Sequence, residues 1–153
     1  MQEITYIEKG NKENCLFLIH GFCSGSEDWI NQINFFSQHF TVIAPTLRGH
    51  DGKNINSRPM SIEQLSNDCV ENYLKALHTP ILLLHSTKID KQNGRVPVKN
   101  SDDIPYINFI KLWSENTRLK IFEETGHYIT IEEPEIVNKQ ITEWLESLKI
   151  HLR

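Results

Sequence analysis

The sequence predicts an α/β fold, a doubly wound and mostly parallel sheet of about five strands, in one domain spanning residues 1–153. Its hydrophobic periodicity alternates between strand-like and helix-like segments along the whole chain. Most strand segments are apolar on both faces, which is typical of a parallel sheet covered by helices on both sides. The length of 153 residues suits a single hydrophobic core.

Each element is predicted from its local pattern. Continuous apolar runs or alternation predict strands over 4–8, 15–19, 40–44, 80–84 and 119–122, the first as an N-terminal hairpin strand. One helix is predicted over 26–40, with Trp29, Ile33 and Phe36 on one face. Ser61 opens a second helix with a capping box, and Pro105 and Pro134 suit the first turns of two more. The polar segment 87–103 predicts a loop.

Composition excludes several classes of protein. With 16 Lys and Arg against 20 Asp and Glu, no basic surplus exists to neutralise phosphates, so no nucleic-acid partner is expected. No apolar run approaches the length of a membrane span, and the first residues do not form a signal peptide. The three cysteines Cys15, Cys23 and Cys69 form neither a disulfide framework nor a metal pattern. We therefore expect a cytoplasmic protein without metal or other cofactor.

Three motifs, in this order, resemble the α/β-hydrolase superfamily. Residues 20–29 (HGFCSGSEDW) follow the first buried strand and resemble the oxyanion loop of that family. Residues 48–50 (RGH) resemble the loop after its next strand. Gly126-His127 resembles its catalytic histidine loop, and Glu132-Glu133-Pro134 resembles the start of its final helix. In a parallel sheet such segments lie at the carboxyl ends of the strands, where functional residues collect.

The resemblance implies hydrolysis of carboxylic esters or related small acyl substrates through a nucleophile, a histidine and an acid. His127 would be the base. Asp90, shortly after the strand over 80–84, would be the acid. The backbone N–H of Phe22 or Cys23 would hold the oxyanion. Asp102 and Asp103 are alternative acids, although their place before Pro105 also suits helix caps.

The sequence offers more than one candidate for the nucleophile. The family carries it in Gly-x-Ser-x-Gly, on a strained turn between a strand and a helix. None of the seven glycines forms that motif. The chain passes from Leu77 directly into a strand that resembles the later, acid-bearing strand of the family. The nucleophile strand, its helix, the following strand and the lid therefore have no counterpart in this sequence.

Three interpretations of the nucleophile follow. Ser86 stands at the end of the strand over 80–84 and is the first. Cys23 is the second, because Gly21-Phe22-Cys23-Ser24-Gly25 is the one match to Gly-x-nucleophile-x-Gly, and a thiolate would gain from the following helix N-terminus. In the third, no nucleophile exists, and the histidine at 127 satisfies a loop hydrogen bond.

Two functions are consistent with these features. The chain is either an ester hydrolase or a catalytically inactive, shortened hydrolase-like module that binds a ligand or forms a homodimer. Loss of neighbouring strands would leave an apolar edge or face that association covers. A deletion from a longer hydrolase would leave the same sequence pattern.

Overall fold

The computed structural model describes residues 5–21, 24–47, 49–50, 80–89, 92, 94–104 and 116–152. The chain divides into two compact units, Met1–Lys75 with Leu152–Arg153, and Ala76–His151. The helices predicted to begin at Ser61 and Pro105 lie outside the described residues. The predicted site residues outside them are Phe22, Cys23 and Asp90.

The first unit contains a three-stranded sheet with β3 in the middle. Its strands are β1 (Tyr6–Lys9), β2 (Cys15–Phe17) and β3 (Thr41–Pro45), in the order β1-β3-β2. β2 pairs with β3 in parallel, and β1 pairs with β3 antiparallel. The predicted N-terminal strand is therefore present. Its partner is β3, which differs from the expected hairpin with the following strand.

One side of this sheet is covered by helical structure that is shorter than predicted. A 3-10 turn (Ser26–Trp29) leads into α1 (Ile30–Phe36), and a turn then replaces the expected last part of the helix. Ile33 and Phe36 are fully buried in the core with Val42. The early end of α1 allows Phe40 to enter the same core directly before β3, where it is 3% exposed.

The expectation that 15–19 is buried on both faces is wrong. Leu16 and Leu18 are buried, whereas Cys15 is exposed and Ile19 is 41% exposed. Successive side chains of a strand point to opposite faces. An unbroken apolar run therefore does not ensure two buried faces, and this strand buries one.

The second unit contains a parallel strand pair. β4 (Ile81–His85) pairs with β7 (Thr117–Ile121), with His85 opposite Ile121 in the register. After β7 come a short helix, α2 (Ile129–Glu132), and a longer one, α3 (Pro134–Ser147). α3 begins at Pro134 as predicted. It buries three residues spaced by four, Val137, Ile141 and Leu145, while the neighbouring Ile136 is exposed.

The prediction of a loop over 87–103 is wrong. β5 (Thr87–Ile89) and β6 (Arg95–Pro97) form an antiparallel hairpin, so the described residues contain seven strands. The pattern was not recognised because each strand has only three residues, fewer than the roughly four to eight over which alternation identifies a strand. A 3-10 turn (Ser101–Asp103) follows, and the Asn100 side chain accepts a hydrogen bond from the backbone N–H of Asp102.

The hairpin and the turn bury apolar side chains against the parallel pair. Val98 and Ile104 are almost completely buried. They pack against residues of β4 and β7, namely Leu83, Leu119 and Ile121. These contacts attach the chain after the hairpin to the parallel pair, although most of the described residues between β4 and β7 are polar. Within the described residues, no helix is long and apolar enough to cross a membrane.

Gly10→Ala is expected to lower the free energy of unfolding by about 1–3 kcal/mol. Gly10 has a φ of +96°, and an added Cβ would overlap the carbonyl oxygen of Phe40 and lie 2.9 Å from that of Ser37. Urea unfolding measures the loss. Gly21→Ala is the matched control, because a Cβ there has no heavy atom within 4 Å. Equal losses in both variants would contradict the argument.

Candidate functional site

The loops that follow β2 and β3 are joined by His20. This side chain is 4% exposed. Its Nδ1 lies 2.7 Å from the carbonyl oxygen of Gly21, and its Nε2 lies 2.9 Å from the backbone nitrogen of Leu47. Because a carbonyl only accepts and an amide N–H only donates, the ring is the neutral tautomer with the proton on Nδ1. Both ring nitrogens therefore have a hydrogen-bond partner.

Further contacts hold the same two loops together. The hydroxyls of Ser26 and Thr46 are 2.8 Å apart, and both residues are buried. The His50 ring makes an edge contact with the His20 ring, with centroids 5.0 Å apart. Burial has the largest effect on the pKa of His20 and lowers it. The hydrogen bond to Gly21 raises this pKa, and the charge on His50 lowers it slightly.

The segment predicted to be the oxyanion loop is thus anchored on both sides of its predicted donors. His20 precedes Phe22 and Cys23, and Ser26 follows them. The two donors lie outside the described residues, so their role stays a prediction. Sequence reasoning treated His20 only as part of a motif. Its position at the end of a buried strand, directly before a glycine, could have indicated that its side chain holds the loop in place.

In the second unit, Ser86 lies between two strands. It follows β4 directly, is 4% exposed, and its carbonyl accepts a hydrogen bond of 2.8 Å from the N–H of Val98. The chain then continues into β5, whereas a nucleophile elbow leads into a helix. In the described chain, Lys149 is the only non-glycine residue with a positive φ. Ser86 therefore lacks that form of backbone strain.

His127 lies in the loop between β7 and α2. Its side chain is partly exposed, and its ring makes an edge contact with the Tyr128 ring at a centroid distance of 4.8 Å. The Glu132 carboxylate accepts hydrogen bonds from the backbone N–H groups of Gly126 and Tyr128. The backbone is therefore held on both sides of the imidazole.

A second histidine lies within electrostatic reach of His127. His85 ends β4, and its carbonyl accepts a hydrogen bond of 2.9 Å from the N–H of Phe122, directly after β7. Burial lowers the pKa of His85, and charge on His127 lowers it further. Sequence reasoning gave His85 no role. Its position at the carboxyl end of a strand, beside the histidine loop, could have indicated that it lies close to His127.

The predicted acid follows β5 immediately. β5 ends at Ile89, and Asp90 is the next residue but lies outside the described part of the chain. The alternative acid Asp102 lies in the 3-10 turn after β6, together with the backbone of Asp103. Within the described ranges, no group of three or more His, Cys, Asp or Glu side chains could hold a metal ion.

Comparison with known proteins identifies the fold. No family model matches the chain. It is 34% identical over 74 residues to (E)-2-((N-methylformamido)methylene)succinate hydrolase of Acinetobacter baylyi. That match covers 48% of this chain and 26% of the relative, so the chain spans about a quarter of the curated relative.

Two solved structures are similar over most of the chain. The epoxide hydrolase of Bacillus megaterium in complex with an inhibitor has a TM-score of 0.56 and 15% identity, covering 94% of this chain and 96% of that one. A predicted CIB-like hydrolase from Thermoplasma acidophilum has a TM-score of 0.53 and 17% identity, covering 95% and 100%. The chain therefore has the α/β-hydrolase fold, which confirms the predicted fold class.

Acidification is expected to destabilise the protein through His20. Burial lowers its folded pKa, so the unfolded chain binds more protons as the pH falls below about 6.5, the ordinary histidine value. Stability is then retained above that pH and lost below it. Urea unfolding at pH 7.5 and 5.5 should show a smaller loss in His20→Gln than in the wild type.

The control for this experiment is His151→Gln, which alters an exposed histidine near the C-terminus. It should keep the pH dependence of the wild type. His85, whose pKa burial also lowers, contributes with the same sign and remains in both variants. An unchanged pH dependence in His20→Gln would show that the imidazole is not held neutral in the folded protein.

Proposed function

We propose that this chain belongs to a hydrolase of carboxylic esters or related acyl compounds, in which His127 is the general base and Asp90 orients it. The parallel pairing of β4 with β7 is the observation that supports this proposal. Parallel neighbours end at the same edge of a sheet. The segment that begins with Ser86 and leads to Asp90 therefore starts at the edge from which the His127 loop leaves.

The proposed chemistry is acyl transfer to the protein and then to water. The nucleophile attacks the carbonyl carbon while His127 takes its proton. The bond to the leaving alkoxide then breaks, and the protonated imidazole returns the proton to it. Water, deprotonated by the same imidazole, then attacks the acyl carbon. The bond to the nucleophile breaks, the imidazolium returns the proton to the nucleophile, and the acid product leaves. Backbone N–H groups of Phe22 or Cys23 would stabilise the oxyanion in both steps.

Ser86 and Cys23 are both retained as nucleophiles in this proposal. Ser86 lies at the edge of the sheet shared with the His127 loop, but its surroundings are those of a strand-to-strand connection. Cys23 lies between β2 and the 3-10 turn that begins at Ser26, in the order strand, turn and helix that an elbow requires. The A. baylyi relative is named a hydrolase, which supports the reaction class.

His127→Ala is expected to lower kcat/KM for p-nitrophenyl acetate by about 10²- to 10⁴-fold, because a general base contributes that much. Comparable losses in Ser86→Ala or Cys23→Ala would identify the nucleophile, and Asp90→Asn tests the acid. His151→Ala is the control for catalysis by surface imidazole and should keep wild-type activity. Full activity in His127→Ala would overturn the proposal.

A second candidate function is a non-catalytic module that associates with a copy of itself. The burial of Ser86 between two strands favours it, as do large apolar side chains on the surface. Four of these, each 40–49% exposed, are Ile19, Phe35, Ile131 and Ile136. Covering such side chains on association would be favourable.

Under this second function, sedimentation velocity should show a concentration-dependent increase in the sedimentation coefficient, together with no esterase activity above that of His127→Ala. The increase reflects burial of the exposed apolar side chains in a homodimer. A species that stays monomeric at the highest soluble concentration would exclude it.

A further inference from the structure

The backbone on both sides of His127 is bound by one carboxylate. Oε2 of Glu132 lies 2.8 Å from the backbone nitrogen of Gly126, and Oε1 lies 3.1 Å from that of Tyr128. Hydrogen bonds to an ionised acceptor are about twice as strong as neutral ones. The two carboxylate oxygens therefore bind the backbone N–H groups on either side of His127.

Glu132 is itself held by the same short segment. It is the last residue of α2, and its backbone N–H donates to the carbonyl of Tyr128 at 2.9 Å. The Ile131 N–H donates to the same carbonyl. Main chain and side chain together therefore close a compact ring over 126–132, with the imidazole-bearing residue inside it.

Gly126 is required for the space that the carboxylate occupies. A Cβ at this position would overlap both carboxylate oxygens and lie 2.6 Å from Cδ of Glu132. The positive-φ glycines in the described chain are Gly10 and Gly49. The backbone of Gly126 is therefore open to other residues, and a Cβ there would displace the Glu132 carboxylate from its two amide contacts.

We propose that Glu132 is a positioning residue for His127, holding the backbone of the loop so that the imidazole is presented in one orientation. This inference rests on the base role proposed above for His127. A general base acts only when it lies about 2.6–3.2 Å from the proton it takes. Glu132 acts through the loop backbone, and its two amide hydrogen bonds account for both of its oxygens.

Glu133 provides a matched control for this role. It is the neighbouring exposed carboxylate, and as N-cap of α3 it makes no side-chain capping hydrogen bond. Glu132→Ala removes both acceptors from the loop. Glu132→Gln keeps one amide oxygen, which can accept one of the two hydrogen bonds. Glu133→Ala removes a similar charge without touching the loop.

The kinetic expectation is a loss in kcat. Glu132→Ala should lower kcat for p-nitrophenyl acetate by up to about 10²-fold, the effect of a small misplacement of a catalytic group, with little change in KM. Glu132→Gln should recover part of this loss, and Glu133→Ala should resemble the wild type. Equal effects of Glu132→Ala and Glu133→Ala would overturn the proposal.

A double-mutant cycle tests the mechanism. Gly126→Ala should displace the Glu132 carboxylate and lower kcat as far as Glu132→Ala does. Because both changes break the same two hydrogen bonds, the double variant should be no worse than either single one. Additive losses would show that the two residues act separately, which would overturn the proposal.

Amide hydrogen exchange, followed by NMR, tests the contacts without using activity. Exchange at Gly126 and Tyr128 should become about tenfold faster in Glu132→Ala, as expected for loss of one hydrogen bond to a charged group. It should not change in Glu133→Ala. The His127 ring resonances should broaden or shift in the first variant only. Unchanged exchange and ring resonances in Glu132→Ala would overturn the proposal.

The two kinds of readout separate failure of this proposal from failure of the proposed function. A wild-type protein without esterase activity would refute the hydrolase, while the exchange and ring measurements would still decide whether Glu132 orients His127. An active wild type that needs His127 but is indifferent to Glu132→Ala would refute the positioning role alone.

Discussion

The parallel pairing of β4 with β7 is the constraint on which the second unit depends. Its register places His85 opposite Ile121, so both strands end together. The serine after one strand and the histidine loop after the other then leave from the same edge. Val98, directly after the hairpin of β5 and β6, packs against Leu83 of β4 and against Leu119 and Ile121 of β7. Backbone pairing thus brings together residues that are about forty positions apart in the chain.

Where strands end, backbone N–H and C=O groups lose their hydrogen-bond partners on the neighbouring strand. Those that are buried or partly buried need other hydrogen-bond partners. In this protein, polar side chains provide several of them. His20 accepts from Leu47 after β3, and Glu132 accepts from Gly126 and Tyr128 after β7. The same side chains that satisfy the backbone give the loops defined shapes. A histidine can be structural in one loop and available for chemistry in another, depending on whether both ring nitrogens are already engaged.

The five predicted strands and the start of α3 are present because short-range signals specify them: apolar runs, and Pro134 at a helix start. The end of α1 could not be predicted, because it depends on the burial of Phe40 in a core built from distant residues. The hairpin over 87–97 was missed because each of its strands has only three residues, too few for alternation to identify them. The His127 loop was identified by its motif, and the catalytic role of His127 stays a prediction. The surroundings of Ser86 depend on the strand that follows it, and no residue near Ser86 indicates that strand.

The hydrogen bonds of Glu132 close over only seven residues, from Gly126 to Glu132. The entropy lost on closing a loop grows with its length. A ring this short therefore loses little entropy when it forms, and it depends little on contacts with distant parts of the chain. Orientation of the histidine is therefore a local property of the sequence. If His127 is the base proposed above, rearrangement or loss of strands elsewhere would remove a nucleophile and leave the imidazole in the same orientation. Under the same proposal, catalysis can be gained or lost through the rest of the sheet while the histidine loop stays unchanged.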